Sequence, residues 1–354
     1  MRSVSSPGDL RLSIVIPTFN GQKHLAVCLP TVFDQGRPPN EVVVVDDCST
    51  DATSALFGDQ FPAVRVVRLA RNQGFVAAAN AGLRTATGDL IFLLNDDTLL
   101  EPGCLEAMIV AATTSGAGMV APTMTFMSHP NIVNGAGIAL DRAGIAWDLA
   151  GGQPVSGLGH MQPFGPSGGA ALYHRALLDD VGLFDEDFGA YLEDLDLAWR
   201  ARLAGWHCVH APGARVRHVH SATAGANSPR KRFLLARNKI WTIAKNYPSP
   251  EVWHFLPAIV GFDLLAAVSF VVASPRATVT INSRIAAVRG RLAGLVGLPG
   301  ALRKRRQVQS RRRVAGTDLL ALMVGVETPA RVRSRFQHLP EVAGPSPRSR
   351  LESD

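Results

Sequence analysis

Two pairs of carboxylates, Asp46-Asp47 and Asp96-Asp97, each follow an apolar run, Val42-Val43-Val44-Val45 and Leu90-Ile91-Phe92-Leu93-Leu94. Such runs read as strands buried on both faces of a parallel sheet. Open α/β sheets bind their ligands in the crevice at the carboxyl ends of the strands. Acids gathered there form an anionic pocket that suits a divalent cation and a phosphate-bearing ligand. Thr18-Phe19-Asn20 and Arg71-Asn72 follow further strand ends on the same edge. Together these residues read as a nucleotide-sugar site. Asp and Ser also make turns and cap helices, so Ser49 or Asp51 is expected to cap the helix after Asp47.

More chemistry lies downstream. Glu193-Asp194-Leu195-Asp196 opens a helix whose apolar stripe is Leu195, Trp199 and Leu203, spaced i, i+4, i+8. Acids in a first turn complement the helix dipole, and Asp196 is expected to act as a cap. In 214–220, strand alternation puts Val216, His218 and His220 on one face. Gly165-Pro166-Ser167-Gly168-Gly169 either lets backbone approach a sugar or phosphate or makes a plain turn.

These residues need a scaffold, and the sequence supplies one. Strands are expected at 12–17, 41–45, 64–69, 90–94 and 118–122, with helices from 21 to about 34, near 52–60, and at 76–86 and 102–115. That alternation predicts an α/β fold with a doubly wound, mostly parallel sheet. After Pro122 the pattern loosens, and the Gly- and Pro-rich stretch 134–169 reads as mobile loops over the site. Helices follow at 175–182 and 193–204, and strands at 207–210 and 214–220.

At 354 residues and 47% hydrophobic, the chain is long and apolar enough to bury a real core. Its net charge of +7 is uneven, with acids in the sheet region and bases crowding the part after Arg276. The cysteines (Cys28, Cys48, Cys104, Cys208) lack CxxC spacing and read as reduced thiols of a cytosolic protein. The polar MRSVSSPGDLR start leads straight into a strand, so no signal peptide is expected. Residues 255–273 are apolar apart from Asp263 and fit an interfacial or re-entrant helix better than a span. Arg303-Lys304-Arg305-Arg306 and Arg311-Arg312-Arg313 would then rest on anionic lipid headgroups. Nucleic-acid binding lacks the interleaved aromatics it needs. The expected division is a catalytic domain at 1–250, a membrane-associated helical extension at 251–330, and a tail at 331–354, disordered from about 340.

The segments VIPTFNG, VVVVDDCSTD, RNQGFVAAANAG, LLNDDT, GGAALYHRALLDDVGLFDEDFGAYLEDLDLAWRARLAGW and HVHSAT, in this order across residues 12–240, resemble family 2 of the glycosyltransferases. That family has the GT-A nucleotide-sugar fold, and the likeness is nearest to bacterial rhamnosyltransferase-like members. The resemblance implies that Pro17, Thr18, Phe19, Asn72 and Asn80 lie along the nucleotide. Asp47 would accept the imide N–H of uracil or thymine. Asp97 would bind Mg²⁺ or Mn²⁺ with His218, or less favourably His220, while Asp96 meets the ribose or the metal's waters. Asp194 would be the general base and Glu193 its acceptor-side neighbour, although two adjacent acids leave that assignment open. A helix N-terminus is expected to lower the Asp194 pKa. Arg237-Asn238 would lie near the pyrophosphate. The implied activity is inverting transfer of rhamnose or another hexose from a dTDP- or UDP-linked donor to a lipid-linked or polysaccharide acceptor, at the cytoplasmic membrane face. A nucleotidyltransferase would carry a Gly-rich, basic loop where Pro17-Thr18-Phe19-Asn20-Gly21 stands. A non-enzymatic membrane or nucleic-acid binding protein would leave the acids idle.

Overall fold

Strand β1 (Leu12–Thr18) is buried at every position, as an apolar run covered on both faces must be. In the computed structural model, which describes residues 10–219, 228–272 and 280–337, it sits near the middle of a curled sheet. Helix α1 (Gln22–Phe33) leads to β2 (Glu41–Asp46), and a 3-10 turn with α2 (Leu56–Asp59) leads to β3 (Val64–Arg68). Helix α3 (Phe75–Thr85) then returns the chain to β4 (Leu90–Leu94). These four strands are parallel, with β1 between β2 and β4. Alternation sends Val15, Val43 and Val45 to one core layer and Ile14, Ile16, Val42 and Val44 to the other. Each such side chain contributes roughly 1.5–3 kcal/mol by its burial.

The second half departs from a simple parallel alternation. Short β5 (Thr98–Leu100), α4 (Cys104–Ser115) and β6 (Met119–Phe126) are followed by β7 (His129–Gly135) and a hairpin of β8 (Ile138–Leu140) and β9 (Ala146–Asp148). Strand β10 (Ala170–His174) then inserts antiparallel between β4 and β6. After α5 (Arg175–Val181) and α6 (Glu193–Leu203) comes β11 (Cys208–His218), parallel to β6. The sheet order is β3-β2-β1-β4-β10-β6-β11-β5, with β7 on β6. The sheet is therefore mixed: β5, β7 and β10 run against the other strands.

Three expectations change. The stretch 134–169 is packed over much of its length: Ala136, Ala143 and Phe164 are buried, and β8 and β9 pair as a hairpin. Gly137 and Gly144 make tight, closely packed turns there, while 153–162 stays largely exposed. The strands expected at 207–210 and 214–220 are one strand, bulged between Ala211 and Arg215. Strand β10 was not anticipated, because five residues after a glycine pair carry too short a pattern.

Beyond residue 250 the chain stays on the catalytic half. Helix α7 (Pro229–Asn246) leads to α8 (Glu251–Val272), α9 (Ile281–Val296), α10 (Leu298–Ser310), α11 (Gly316–Ala321) and α12 (Pro329–Gln337). Arg313 donates its backbone N–H to Leu203, Val324 donates to Leu140, and Leu319 and Met323 are buried in the main core. Asp263 does not stand alone in apolar surroundings but pairs with Lys239 and Arg291, each at 3.0 Å. No single helix among the described residues is long and apolar enough to cross a membrane, and only α9 with α10, bent by 58°, reach that length together. The tail at 340–354 lies outside the described residues.

Helix α9 meets α7 through Ser283, Ala287, Gly290 and Gly294. A Cβ on Gly290 would lie 2.2 Å from the Phe233 carbonyl oxygen, which as backbone cannot step aside. We predict that Gly290→Ala pushes the helices apart and destabilises the protein by about 1–3 kcal/mol, measured by urea unfolding. Ala286→Ser, at a half-exposed position of the same helix, serves as the control and should be near neutral.

Candidate active site

The strand ends converge as their registers require. Thr18 lies opposite Asp46, one residue beyond Pro17, which is buried in β1 beside Val45. The chain then turns, and Asn20 at φ 52° and Cys48 at φ 63° are left-handed. Asn20 Oδ1 accepts from the N–H of Thr50, and Ser49 Oγ accepts from the N–H of Asn20, so the two loops brace each other. Ser49 is thus spent on Asn20, and Asp51 alone caps the following turn, through Thr53. Phe19 and Asn72 are exposed on this edge, open to a flat ligand. Asp47 is buried, and its two carboxylate oxygens accept from the N–H groups of Gln73 and Gly74 at 2.7 Å. It therefore fixes the loop that carries Asn72.

Asp96 and Asp97 follow β4 and meet different partners. Thr18 donates its hydroxyl to Asp96 Oδ2 at 2.6 Å. Burial, reinforced by Asp97's charge, pushes the Asp96 carboxyl up to about 6. Asp97 Oδ1 lies 3.3 Å from His218 Nε2 and, among the described residues, makes no well-formed hydrogen bond, although it is buried. Burial works to raise the Asp97 carboxyl, but the adjoining His218 ring and its charge bring it below its ordinary value. His218 is in turn oriented by Asn134 Oδ1, 3.0 Å from Nδ1. His220 lies outside the described residues.

Those groups fit a hard divalent cation. A buried carboxylate oxygen without a donor, beside an imidazole nitrogen whose ring is held from behind, is the arrangement of a metal's protein ligands. Among the described residues no third His, Cys, Asp or Glu joins them. Diphosphate oxygens and water would complete such a shell, as is usual for Mg²⁺.

The third acid group sits across a glycine turn. A Cβ on Gly168 would lie 3.4 Å from Asp194 Oδ2 and 3.6 Å from Glu193 Oε1. One on Gly169 would lie 3.6 Å from Asn95 Nδ2 and 3.8 Å from His218 Cε1. The two glycines therefore separate the acids of α6 from the Asp97–His218 pair by a single turn without side chains. Gly168 also donates its N–H to Asp194 Oδ2 at 2.8 Å, and Leu195 donates to Oδ1.

Two expectations about α6 are corrected. Its N-terminus does not lower Asp194: burial outweighs the backbone donors and raises the carboxyl above its ordinary value. Burial and the charge of Asp194 also push Glu193 up to about 8, and Glu193 Oε2 has no hydrogen-bond partner among the described residues. Asp196 is not a cap. It is fully buried and bound by Arg200, Lys245 and Asn246 at 2.7–2.9 Å.

Asn80 and Arg237 are also placed differently from expectation. The buried Asn80 amide bonds the backbone of Phe184 and the Glu186 carboxylate, which leaves it no group for a nucleotide. Arg237 donates to the carbonyls of Asp187 and Phe188 and lies over Trp241, while Asn238 takes the carbonyls of Phe188, Ala190 and Tyr191. Both hold the segment leading into α6, where Tyr191 (φ 65°) and Leu192 (φ 66°) are left-handed at about 1–2 kcal/mol each.

Residues 13–182 match the Glycosyl transferase family 2 profile. YwdF, a glycosyltransferase of Bacillus subtilis (strain 168), is 30% identical over 232 residues, covering 64% of this chain and 82% of its own length. The chain is a family 2 glycosyltransferase. It is 28% identical over 249 residues to the N-acetylglucosaminyl-diphospho-decaprenol L-rhamnosyltransferase of Mycobacterium tuberculosis (strain ATCC 25618 / H37Rv), which covers 62% of this chain and 78% of the relative. Among solved structures, S. aureus TarS 1-349 superposes with TM-score 0.52 at 16% identity, covering 85% of this chain and 90% of that one. GalNAc-T7, solved with UDP, GalNAc and Mn²⁺, gives TM-score 0.54 at 15% identity, covering 71% and 51%.

Three residues of this glycosyltransferase's site escape sequence reading. Asn134, behind His218, and Asp148, on β9, both come from the stretch read as loops. Burial, with Asp194's charge, pushes the Asp148 carboxyl up to about 6. Lys231 lies 5.3 Å from the centre of the Tyr191 ring. No local pattern marks them, because only the packing of β7, β9 and α7 brings them to the site.

A group raised in the folded state stabilises the fold fully below its ordinary pKa and ceases to as pH rises through the raised one. For Glu193 that window runs from 4.5 to about 8. Melting temperatures should therefore show the wild type losing stability relative to Glu193→Gln across that range. A constant difference would remove the buried-acid assignment. The neighbouring acids should separate cleanly. Asp194→Asn is expected to lower turnover about 10²–10⁴-fold with little change in melting temperature. Asp196→Asn should destabilise by about 3–5 kcal/mol, read by urea unfolding, because it breaks a buried ion network.

Proposed function

We propose that this glycosyltransferase moves rhamnose or another hexose, with inversion, from a dTDP- or UDP-linked donor to a lipid-linked or cell-envelope polysaccharide acceptor. The observation that carries the reading is the Gly168-Gly169 turn, with Asp194 and Glu193 on one side and Asn95 and His218 on the other. A sugar seated on that turn would present its anomeric carbon between a base and a diphosphate site. The acceptor preference follows the mycobacterial relative, whose name specifies a decaprenyl-diphosphate acceptor.

In this reading the nucleotide lies over Thr18, Phe19 and the loop fixed by Asp47, with Asp96 toward the ribose. Asp97 and His218 would hold a divalent cation, which would supply positive charge against the diphosphate leaving group. Asp194 takes the acceptor hydroxyl proton as the hydroxyl oxygen bonds to the anomeric carbon and the bond to the diphosphate oxygen breaks. Its raised pKa makes it a stronger base than an exposed aspartate. Glu193, kept neutral below about 8, avoids placing a second charge beside it.

Purified protein should release nucleoside diphosphate from a dTDP- or UDP-sugar with Mg²⁺ or Mn²⁺ present, and stop in EDTA. Asp97→Ala should lower that rate at least about a hundredfold, since the lost charge stabilisation amounts to several kcal/mol. Its circular dichroism should be unchanged. Undiminished release in EDTA, with an active Asp97→Ala, would refute the metal assignment.

A further inference from the structure

Helix α9 has two opposite faces. Ser283, Ala287, Gly290 and Gly294 are buried against α7. Ile281, Ile285, Val288, Leu292, Leu295 and Val296, at i, i+4, i+7, i+11, i+14 and i+15, are at least half exposed, and Val296 is 82% exposed. On α8, Leu264 and Leu265 are also exposed, next to the Asp263 that pairs with Arg291 of α9. An exposed apolar stripe of this length marks a binding surface rather than an ordinary solvent face.

Charge identifies what covers it. From 264 to 317 the sequence contains no Asp or Glu and eleven Lys or Arg. A second copy of the chain docked on the same stripe would set cation against cation, which opposes self-association. An anionic lipid surface satisfies both the stripe and its basic rim. Much of the two arginine clusters that the sequence suggests is bound to protein groups instead of forming this rim. Lys304 binds Asp185 and Asp187, Arg305 binds the carbonyls of Ala244 and Tyr247, and Arg311 and Arg313 bind Asp180 or its carbonyl. Arg289 and Arg303, by contrast, are exposed along and just beyond α9.

We infer that α9 lies in the plane of an anionic membrane leaflet, with its aliphatic stripe among the acyl chains and Arg289 and Arg303 at the headgroups. Helices α7 and α9 run in the same direction, since Gly290 meets Phe233, Gly294 meets Arg237, and Gly297 meets Trp241. The start of the stripe therefore lies beside the start of α7, where Lys231 covers Tyr191, two residues before Glu193. The docked surface adjoins the acceptor side of the site. This surface rests on the lipid-linked acceptor reading for its purpose but not for its test.

The test is co-sedimentation of the full chain with vesicles of phosphatidylcholine alone or mixed with phosphatidylglycerol. The wild type should bind the mixed vesicles, and high salt should weaken that binding. Ile285→Glu with Leu292→Glu, both surface changes, should weaken it about tenfold or more. Arg289→Gln with Arg303→Gln should reduce binding to mixed vesicles only. Release of nucleoside diphosphate with a short soluble acceptor should be unchanged in both variants. Loss of that activity in the wild type would refute the catalytic reading and leave the surface standing. Equal wild-type binding to both vesicles, or none, overturns the surface. So does a stripe variant that binds vesicles normally yet changes the molar mass by light scattering, which would make α9 a contact between copies.

Discussion

A carboxylate with no water in reach has to be neutralised by the protein, and Asp196 organises the molecule around that requirement. Its oxygens are taken by Arg200, Lys245 and Asn246. Lys245 then reaches on to Asp185, where burial opposes ionisation but Lys245 and Lys304 draw the carboxyl down to about 2. One chain of alternating charges thus ties α6 to α7, to the loop before α6, and to α10. Removing any single member would strand a charge that the interior cannot solvate. Helices beyond residue 250 are thereby made part of the catalytic body.

That network also explains why α6 can be covered on every side although it carries two arginines. Arg200 satisfies the carbonyls of Val181, Gly182 and Leu183, and Arg202 those of Pro163 and Phe164. With Asn80, Arg237 and Asn238 holding the other side, the 183–192 segment is fixed from several directions. A loop restrained in this way can sustain the left-handed Tyr191 and Leu192, and it delivers Glu193 and Asp194 to the glycine turn. The family resemblance suggested Asn80 and Arg237 as ligand contacts. Their work is to hold the backbone that places the acids.

Much of the donor half was legible in the sequence, because its signals are local. The runs at 12–17, 41–45 and 90–94 are strands, and Asp47, Asp96 and Asp97 follow their ends. Burial was harder to read. A helix N-terminus is visible in sequence, but the packing that reverses its effect on Asp194 is not. Arginine clusters likewise look alike whether they face lipid or, as with Arg305 and Arg313, bind carbonyls and carboxylates. The antiparallel strand at 170–174 depends on partners some 50–80 positions away. No window of local pattern contains such a pairing.

The position of β10 also governs how the protein is assembled. Until residues 170–174 dock, β4 and β6 each lack a neighbour, and the pairing that supplies it closes a long loop. Contacts of such sequence separation form slowly and leave strand edges open in the meantime. The same event hydrogen-bonds the Asn95 amide to the Gly169 carbonyl at 2.9 Å, which joins the two halves of the site. During synthesis, then, the first four strands can pair early, while the geometry of the site waits for β10 and then for β11, which enters later between β6 and β5 and carries His218. A chain stalled before that point would be a sticky, inactive half-sheet, a natural target for chaperones.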